Sequence, residues 1–390
     1  MKTKYFFYTL LCVMSVGKIK AADLYVRDLG AGGAYSTISA AISAANDGDR
    51  IIIRPKTGNV PYLESLSINK SLTFVSETNF TKYYIQGSII IVPAANRVIT
   101  INNMYSFQSS IATTSTTITG GRCTINILNS VADIIDLDNT KNVSTNIYGS
   151  TFNSLSFLHG KVTGNTYTSI YLGDDIAPFA DSSVYIIANK GGSTESATKS
   201  YPVNIMNNDL GVNGSNLPAL LISDIKPAST NVVQNNKLLS SNTPFKITAS
   251  LSGNIAITNN ILDSNYSGNL KIDVSTLPPT VIATYNISST SFSTSGVDIQ
   301  DNNTAYGSYT LNLNNLTSSG AIINAGIPDE EYQDLDLTRS DIGPLGGSNS
   351  WTNYWQSNAG NKPRVMFLNT PRRVYQGTGS IQAEATGISK

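Results

Sequence analysis

The sequence predicts an all-β protein, a parallel β-helix with an N-terminal α-helical cap and a short C-terminal β segment. Three observations lead there: a repeat of about two dozen residues, an apolar alternation inside each repeat, and one amphipathic helix ahead of the first strand. The repeat is an apolar alternation, then Asn, then a polar turn, seen as "KVTGNTY", "YIIANKG", "NIMNNDL", "VVQNNKL", "AITNNIL" and "IATYNIS". Its asparagines are Asn165, Asn189, Asn208, Asn236, Asn260 and Asn286, so successive units differ by 24, 19, 28, 24 and 26 residues. An imperfect period of this size marks a solenoid.

Three residues before each Asn stand Val162, Ile186, Ile205, Val233, Ile257 and Ala283, the expected interior column. Two residues earlier, Val184, Val203, Ile255 and Val281 repeat the pattern in four of the six units. Alternation of this kind turns one parity inward and the other to water. The unit is too short for a propeller blade and lacks the helical half of leucine-rich or ankyrin repeats, which leaves a parallel β-helix. The recurring Asn has two readings: a hydrogen-bonded ladder between coils at a left-handed turn position, or a row of exposed amides for a ligand.

Taken in order, residues 1–22 read as a signal peptide. Lys2 and Lys4 precede the apolar run "YFFYTLLCVMSVG", and Ala21 and Ala22 offer a cleavage point. Ile19 or Lys20 stands where a small residue is preferred, so a retained anchor is the alternative. The run is too short for a membrane span, and no later stretch is long enough, so the mature chain is expected to be secreted or at the cell surface with no transmembrane span.

Residues 23–60 form the cap and first strand. In "AYSTISAAISAANDGDRIIIRP", Ile38, Ile42 and Ala45 share one helical face, Gly48 stops the helix, and "DRIIIRP" enters the first strand. A solenoid exposes an apolar core and an open strand edge at each end, and the helix is expected to cover the N-terminal one. Residues 61–323 are then the coils, a rod roughly 50 Å long at ~4.8 Å per coil. Residues 324–350 are expected to cap the last coil and 351–390 to form an appended β element near the same end.

Composition narrows the function. Lys plus Arg and Asp plus Glu are 26 each with no basic block, which argues against nucleic acid. The single histidine, His159, excludes sites needing two or three imidazoles. With Cys12 in the leader, only Cys123 remains, a buried small hydrophobe with no disulfide partner. Only 13% of residues are charged, and Asn, Ser, Thr and Gly fill the polar positions. Such faces suit hydroxyl-rich ligands or simply a soluble surface.

The segment "LYVRDLGAGGAYSTISAAISAANDGDRIIIRP" with "YLESLSINKSLTFVS" resembles the N-terminal cap and first coil of exported right-handed β-helix proteins of the pectin-lyase-like superfamily, pectin methylesterases included. "NAGIPDEEYQDLDLTRSDIGPLGG" is similar to a C-terminal segment of bacterial β-helix proteins usually written Asp-Gly-Thr-Arg-Asn-Asp-Ile-Gly, with Leu337 here in place of the Gly and Ser340 in place of the Asn. The resemblance implies a protein that binds or acts on polysaccharide through an outer face of the rod; the superfamily also holds noncatalytic proteins, so a cell-surface structural or adhesion protein is the alternative. The hydrolase motifs of the polygalacturonases are absent or out of order, and "ADIIDLD" only faintly echoes a methylesterase segment.

Three clusters are candidates for chemistry. Asp136 and Asp138, two apart on a strand, should leave one face about 6.5–7 Å apart, a spacing open to an inverting glycosidase pair, a weak calcium site or a solvated acidic pair. His159, Lys161 and Thr163 have the parity opposite to Val162 and should point outward, with Ser183 and Tyr185 on the next coil and Tyr148 on the preceding one. Lys161, His159 and Tyr185 are the residue types with which a uronan lyase removes a proton, and Asp174 and Asp175 in the following turn could hold the Ca2+ that neutralises the uronate. An ordinary polar face is the other reading. "DLDLTRSDIG" spaces Asp334, Asp336, Thr338 and Asp341 somewhat like a calcium loop, but without its glycine and final Glu it reads better as hydrogen-bonded capping by these aspartates and Arg339.

Overall fold

Short strands rich in Ile and Val, each followed by a turn, stack here one above another. The computed structural model describes residues 21–388 apart from 80, 107, 177–182, 213–215, 267, 277–278, 306, 355–363 and 370–382. Residues 1–20 of the expected signal peptide lie outside the described residues. Among those described, thirteen strands stack in chain order into one parallel sheet, from Asp23–Val26 and Arg50–Ile53 through Gly160–Thr163 to Ile299–Asp301. A second parallel sheet of eighteen strands runs beside it, and the chain is a parallel β-solenoid. The first rung forms at Asp23, ahead of residue 61, and the last at Asp301; Tyr309–Asn312 and Thr317–Gly320 then pair antiparallel. Among the described residues no helix is long and apolar enough to cross a membrane.

The interior column is in the register the sequence implies. Ile147, Val162, Ile186, Ile205, Val233, Ile257 and Ala283 are partners from coil to coil, and all are fully buried. Stacking identical or near-identical branched side chains lets each coil bury the apolar face of the next, which no single coil could do alone. Cys123 lies in the same core as a free thiol.

The expected helix spans Ile38–Ala44, with Thr37 as N-cap accepting from the Ala40 amide at 3.1 Å, and it follows the first strand, Asp23–Val26, instead of preceding it. Its ends are held by charges of matching sign from the first coil. The Glu64 carboxylate accepts from the Ile38 and Ser39 amides at 2.9 Å each, and Lys70 Nζ donates to the Ile42, Ser43 and Ala45 carbonyls at 2.9, 3.0 and 2.7 Å. An acid at the N-terminus and a cation at the C-terminus both favour the helix dipole. Ile38, Ala41, Ile42 and Ala45 are buried, and the helix packs on the strands Asp23–Val26, Arg50–Ile53 and Leu66–Ile68.

All six repeat asparagines form one ladder, continued by Asn303. Asn208 shows the pattern: its Nδ2 donates to Asn236 Oδ1 on the next coil at 2.9 Å and to the Ile186 carbonyl behind it at 2.9 Å. Its Oδ1 accepts from the amide N–H of Asn189 at 3.0 Å and from Asn189 Nδ2 at 2.9 Å. Both hydrogens and both lone pairs are used, so the amide is buried at no cost in unmet polarity. The left-handed backbone expected at these asparagines sits one residue earlier, at Ala188, Asn207, Asn235, Asn259, Tyr285 and Asn302. The preceding residue turns the corner, and this frees the ladder Asn to aim inward. Towards the N-terminus the ladder passes to hydroxyls: the Ser150 amide donates to Asn165 Oδ1 at 2.8 Å, and the Ser130 amide to Ser150 Oγ at 3.1 Å.

The chain after the last coil returns along the side of the solenoid, where the sequence suggests a cover over its end. Ile327 N–H donates to Asn259 Oδ1, Asn235 Nδ2 donates to the Asp341 and Gly343 carbonyls, and Asn207 Nδ2 donates to those of Pro344 and Gly346. The contacts step back coil by coil, from Asn259 to Asn207. Trp351, Tyr354 and Phe367 then pack with Tyr148, Ile187 and Ala188. The expected appended element is an antiparallel pair, Arg364–Asn369 with Glu384–Ile388.

Candidate functional site

Lys161 lies on Gly160–Thr163, in register with Asn146 on one side and Tyr185 on the other. It therefore belongs to an outward row that reads Thr100, Asn126, Asn146, Lys161, Tyr185, Asn204 along the first sheet. The backbone at this strand's start is special. Gly160 has φ +135, and a Cβ there would sit 1.8 Å from the Thr145 carbonyl oxygen, so only glycine fits between His159 and Lys161.

Lys161, His159 and Tyr185 line one cavity of about 640 Å³, together with Arg122, Thr124, Ser144, Asn146, Gly160, Ser183 and Glu384. Each is engaged. The Lys161 ammonium pairs with the Glu384 carboxylate of the C-terminal hairpin and lies 4.1 Å from the Phe367 ring centroid. Tyr185 meets the same ring edge-on at 5.2 Å, and burial raises its phenol above the usual value. His159 is buried and takes a hydrogen bond at Nδ1 from Arg122 at 3.0 Å, while Arg122 donates to the Tyr201 hydroxyl at 2.6 Å. A guanidinium can only donate, so Nδ1 is the acceptor of a neutral imidazole. Three of the residues expected to point outward are buried: His159, Thr163, and Tyr148 beside Phe367, Trp351 and Tyr354. The returning chain packs on Tyr148 and on Ile187, and Thr163 lies in register between those two.

Asp174 and Asp175 do not line that cavity. They follow the strand Thr166–Leu172 of the second sheet and tie neighbouring coils. Asp174 Oδ1 accepts from the Lys199 amide at 2.8 Å and Ser200 Oγ at 2.9 Å; Asp175 Oδ1 accepts from the Asn142 and Ile176 amides at 2.8 Å each. Asp175 is buried, and that burial raises its carboxyl against the pull of these N–H groups. Neither aspartate lines the cavity of the candidate base, although the charge of Arg122, which does line it, acts on Asp175. Among the described residues no group of three or more His, Cys, Asp or Glu is placed to hold a metal ion.

Asp136 and Asp138 lie on either side of the buried Leu137, on one face as the alternation requires, but not held apart. Burial, then a hydrogen bond from one carboxyl to the other and the Asp136 charge, push Asp138 up to about 6. The two carboxyls are in direct hydrogen-bond contact, which leaves no room between them for a sugar and a water.

The same face carries a groove that the sequence reading missed. The strands Thr151–Phe157, Thr166–Leu172 and Ser193–Ser196 bring Ser154, Ser169 and Ser193 into one row, and Ser156, Tyr171 and Glu195 into the next; Asp136 stands one coil before Ser156. Leu217, Pro218 and Leu221 form a wall, and the cavity holds about 220 Å³. Tyr171 is 40% exposed, and its phenol is raised by burial first and then by the charges of Glu195, Asp138 and Asp174. Ser223 Oγ fixes Glu195 with a 2.8 Å hydrogen bond. The signal was present: "NSLSF", "TSIYL" and "GSTES" each put two polar residues around an inward one.

No family model, no curated protein and no solved structure matches this chain.

Proposed function

We propose that this chain is an exported, noncatalytic polysaccharide-binding solenoid whose ligand lies in the groove of the second sheet. The observation that carries the reading is the row Ser154, Ser169, Ser193 beside Ser156, Tyr171 and Glu195. Rungs ~4.8 Å apart are spaced close to the length of one pyranose unit, so a glycan lying along the solenoid could meet a hydroxyl donor at each residue. Tyr171 offers an exposed ring for a sugar's C–H face, and the Leu217, Pro218 and Leu221 wall excludes water on one side. The catalytic alternative, a uronan lyase using Lys161, has against it that Lys161 is already paired with Glu384 and that neither aspartate lines its cavity. Titrating the protein with a panel of neutral glucan oligomers tests the proposal. Binding that falls at least ~tenfold in Tyr171→Ala is expected, as for loss of an aromatic anchor; equal affinity in that variant, or release of an unsaturated product that absorbs in the ultraviolet from a uronan, overturns it.

Membership of the pectin-lyase-like superfamily is part of the same reading, supported by the parallel stacking and by the motif residues at both ends. So is the role of the helix as a lid on the N-terminal end of the core, supported by its buried face and by Glu64 and Lys70 at its ends. Ile42→Asp places a charge in that contact and is expected to lower stability by several kcal/mol. An unchanged thermal midpoint would remove the lid.

A further inference from the structure

We propose that the N-terminal end of the solenoid carries a site for a phosphate group, in a cavity of about 410 Å³ between the loop Asp28–Gly33 and residues 54–60. Parallel register builds it. Val26 pairs with Ile53 and Ile53 with Ser76, so the residues one step further, Arg27, Arg54 and Glu77, gather in one place. Lys56 reaches the same cavity, with its ammonium 4.5 Å from the Tyr62 ring centroid. Three of the lining side chains are thus cations against one carboxylate, Asp28, in a chain whose formal net charge is zero. The glycine-rich loop allows the approach: Gly32 has φ +71, and a Cβ there would stand 2.9 Å from Arg27 Nη1.

The acids nearby leave much of this charge unmet. Glu77 holds Arg27 through Nε and Nη2, which leaves the Nη1 edge, and its closest approach to Arg54 is 3.8 Å, too long for a hydrogen bond. The Arg54 side chain is 59% exposed. Asp28 meets Lys56 at 3.2 Å, but its own side chain is 62% exposed, and an ion pair at such a rim is weak. A phosphate group answers this arrangement better than a carboxylate does. It brings three acceptor oxygens, roughly two charges near neutral pH and the geometry that guanidinium groups bind bidentately. Thr57 adds a hydroxyl to the lining, and the volume leaves room for the molecule that bears the phosphate. The site shares no residue with the proposed glycan groove, so each can fail without the other.

The test uses the full chain at low salt, where exposed charges are least screened. Glycerol 3-phosphate and acetate are titrated by calorimetry, and vesicles of phosphatidylcholine with and without phosphatidate are sedimented with the protein. Glycerol 3-phosphate is expected to bind at least ~tenfold more tightly than acetate, and Arg54→Gln to weaken it at least ~tenfold, as for loss of a charge-assisted contact. Asp28→Asn should tighten it about two- to fivefold, the range that an exposed ion pair can withhold. Lys237→Met, far along the second sheet, should change nothing. Phosphate binding that Arg54→Gln weakens supports the site whichever way the vesicles respond: sedimentation with phosphatidate assigns a lipid headgroup, and its absence a soluble phosphorylated ligand. No binding of glycerol 3-phosphate, equal affinity for acetate, unchanged affinity in Arg54→Gln, or an equal loss in Lys237→Met would overturn the proposal.

Discussion

Two asparagine series run side by side through the middle coils, and the same residue type does different work in each. In the pairs Asn207-Asn208, Asn235-Asn236 and Asn259-Asn260, the second residue joins the interior ladder and the first faces the returning C-terminal chain. The difference is made by the backbone. Asn207, Asn235 and Asn259 have φ of 55°, 54° and 56°, the left-handed conformation that Asn tolerates better than most residues. That corner swings one side chain out and the next one in. An amide's partners are thus set by the φ of one residue, and its chemistry alone does not tell the series apart.

The ladder should be the costlier series to break. Asn236→Ala removes an amide that serves four partners, leaving the Asn208 backbone and side-chain donors and the Ile205 carbonyl unmet in the interior. A loss of about 3–5 kcal/mol is expected from several buried groups left unsatisfied at once, read from the urea midpoint. The outer series should cost less. Asn235→Ala frees the part-buried Asp341 carbonyl and the buried Gly343 carbonyl, the second held only by a long 3.3 Å bond, and leaves Ala in a left-handed turn; roughly 1–2 kcal/mol is expected. Its signature is local: amide exchange should quicken over residues 341–347 and stay slow in the coils. Equal losses in the two variants would show that the series are not distinct.

How much of this was legible without coordinates follows from the same comparison. The period and the inward column could be read because every coil repeats them, from Val162 to Ala283. The recurring Asn could be noticed, but its ladder and the left-handed residue were assigned to one position, since the sequence shows "NN" without saying which residue bends. Lys161, His159 and Tyr185 could be grouped from parity within two adjacent coils. The groove needed three coils of different length aligned on the second sheet, where strands Thr166–Leu172 and Ser193–Ser196 are separated by the short Lys190–Gly191. Parity alone turns Tyr148 outward, because what packs on it, Trp351, Tyr354 and Phe367, lies far along the chain. Contacts at that range leave no periodic trace.

The two series also part in their response to pH. Carboxamides do not titrate, so the ladder should hold equally from acid to neutral. The returning chain is folded around Asp334, whose carboxylate accepts from the Asp341 and Gly347 amides and which burial, opposed by those bonds, pushes up to about 6. A carboxyl raised in the folded state contributes stability that is complete below about pH 4, its unfolded value, and is lost as pH rises through about 6. Asp138 acts in the same direction. Exchange of the Asp341 and Gly347 amides, corrected for the intrinsic rate, should therefore quicken between pH 4 and 6, and Asp334→Asn should flatten the change. A uniform response in ladder and returning chain would contradict this.

The smallest expected effect concerns a left-handed residue outside both series. Leu337 has φ 67 and a side chain that is 73% exposed, at the position where the resembling motif carries glycine. Its N–H bonds to the Asp334 carbonyl at 3.1 Å and the Asp334 N–H to the Thr338 carbonyl at 3.0 Å, closing the turn, while Asp336 Oδ1 accepts from Thr338 N–H and Oγ at 3.1 and 2.7 Å. The turn forms without the glycine because these bonds hold it, and Leu337 carries the steric cost of the left-handed region with no packing in return. Leu337→Gly removes that cost of about 1–2 kcal/mol but gives the unfolded chain more freedom, worth about 0.5–1 kcal/mol against folding. A net gain of roughly 0.5–1 kcal/mol should appear as a higher thermal midpoint. Asn235→Gly, made in parallel, should be destabilising, because there the side chain binds the Asp341 carbonyl. If both glycines stabilised, conformation alone would govern these corners, and the outer asparagines would not be holding the returning chain.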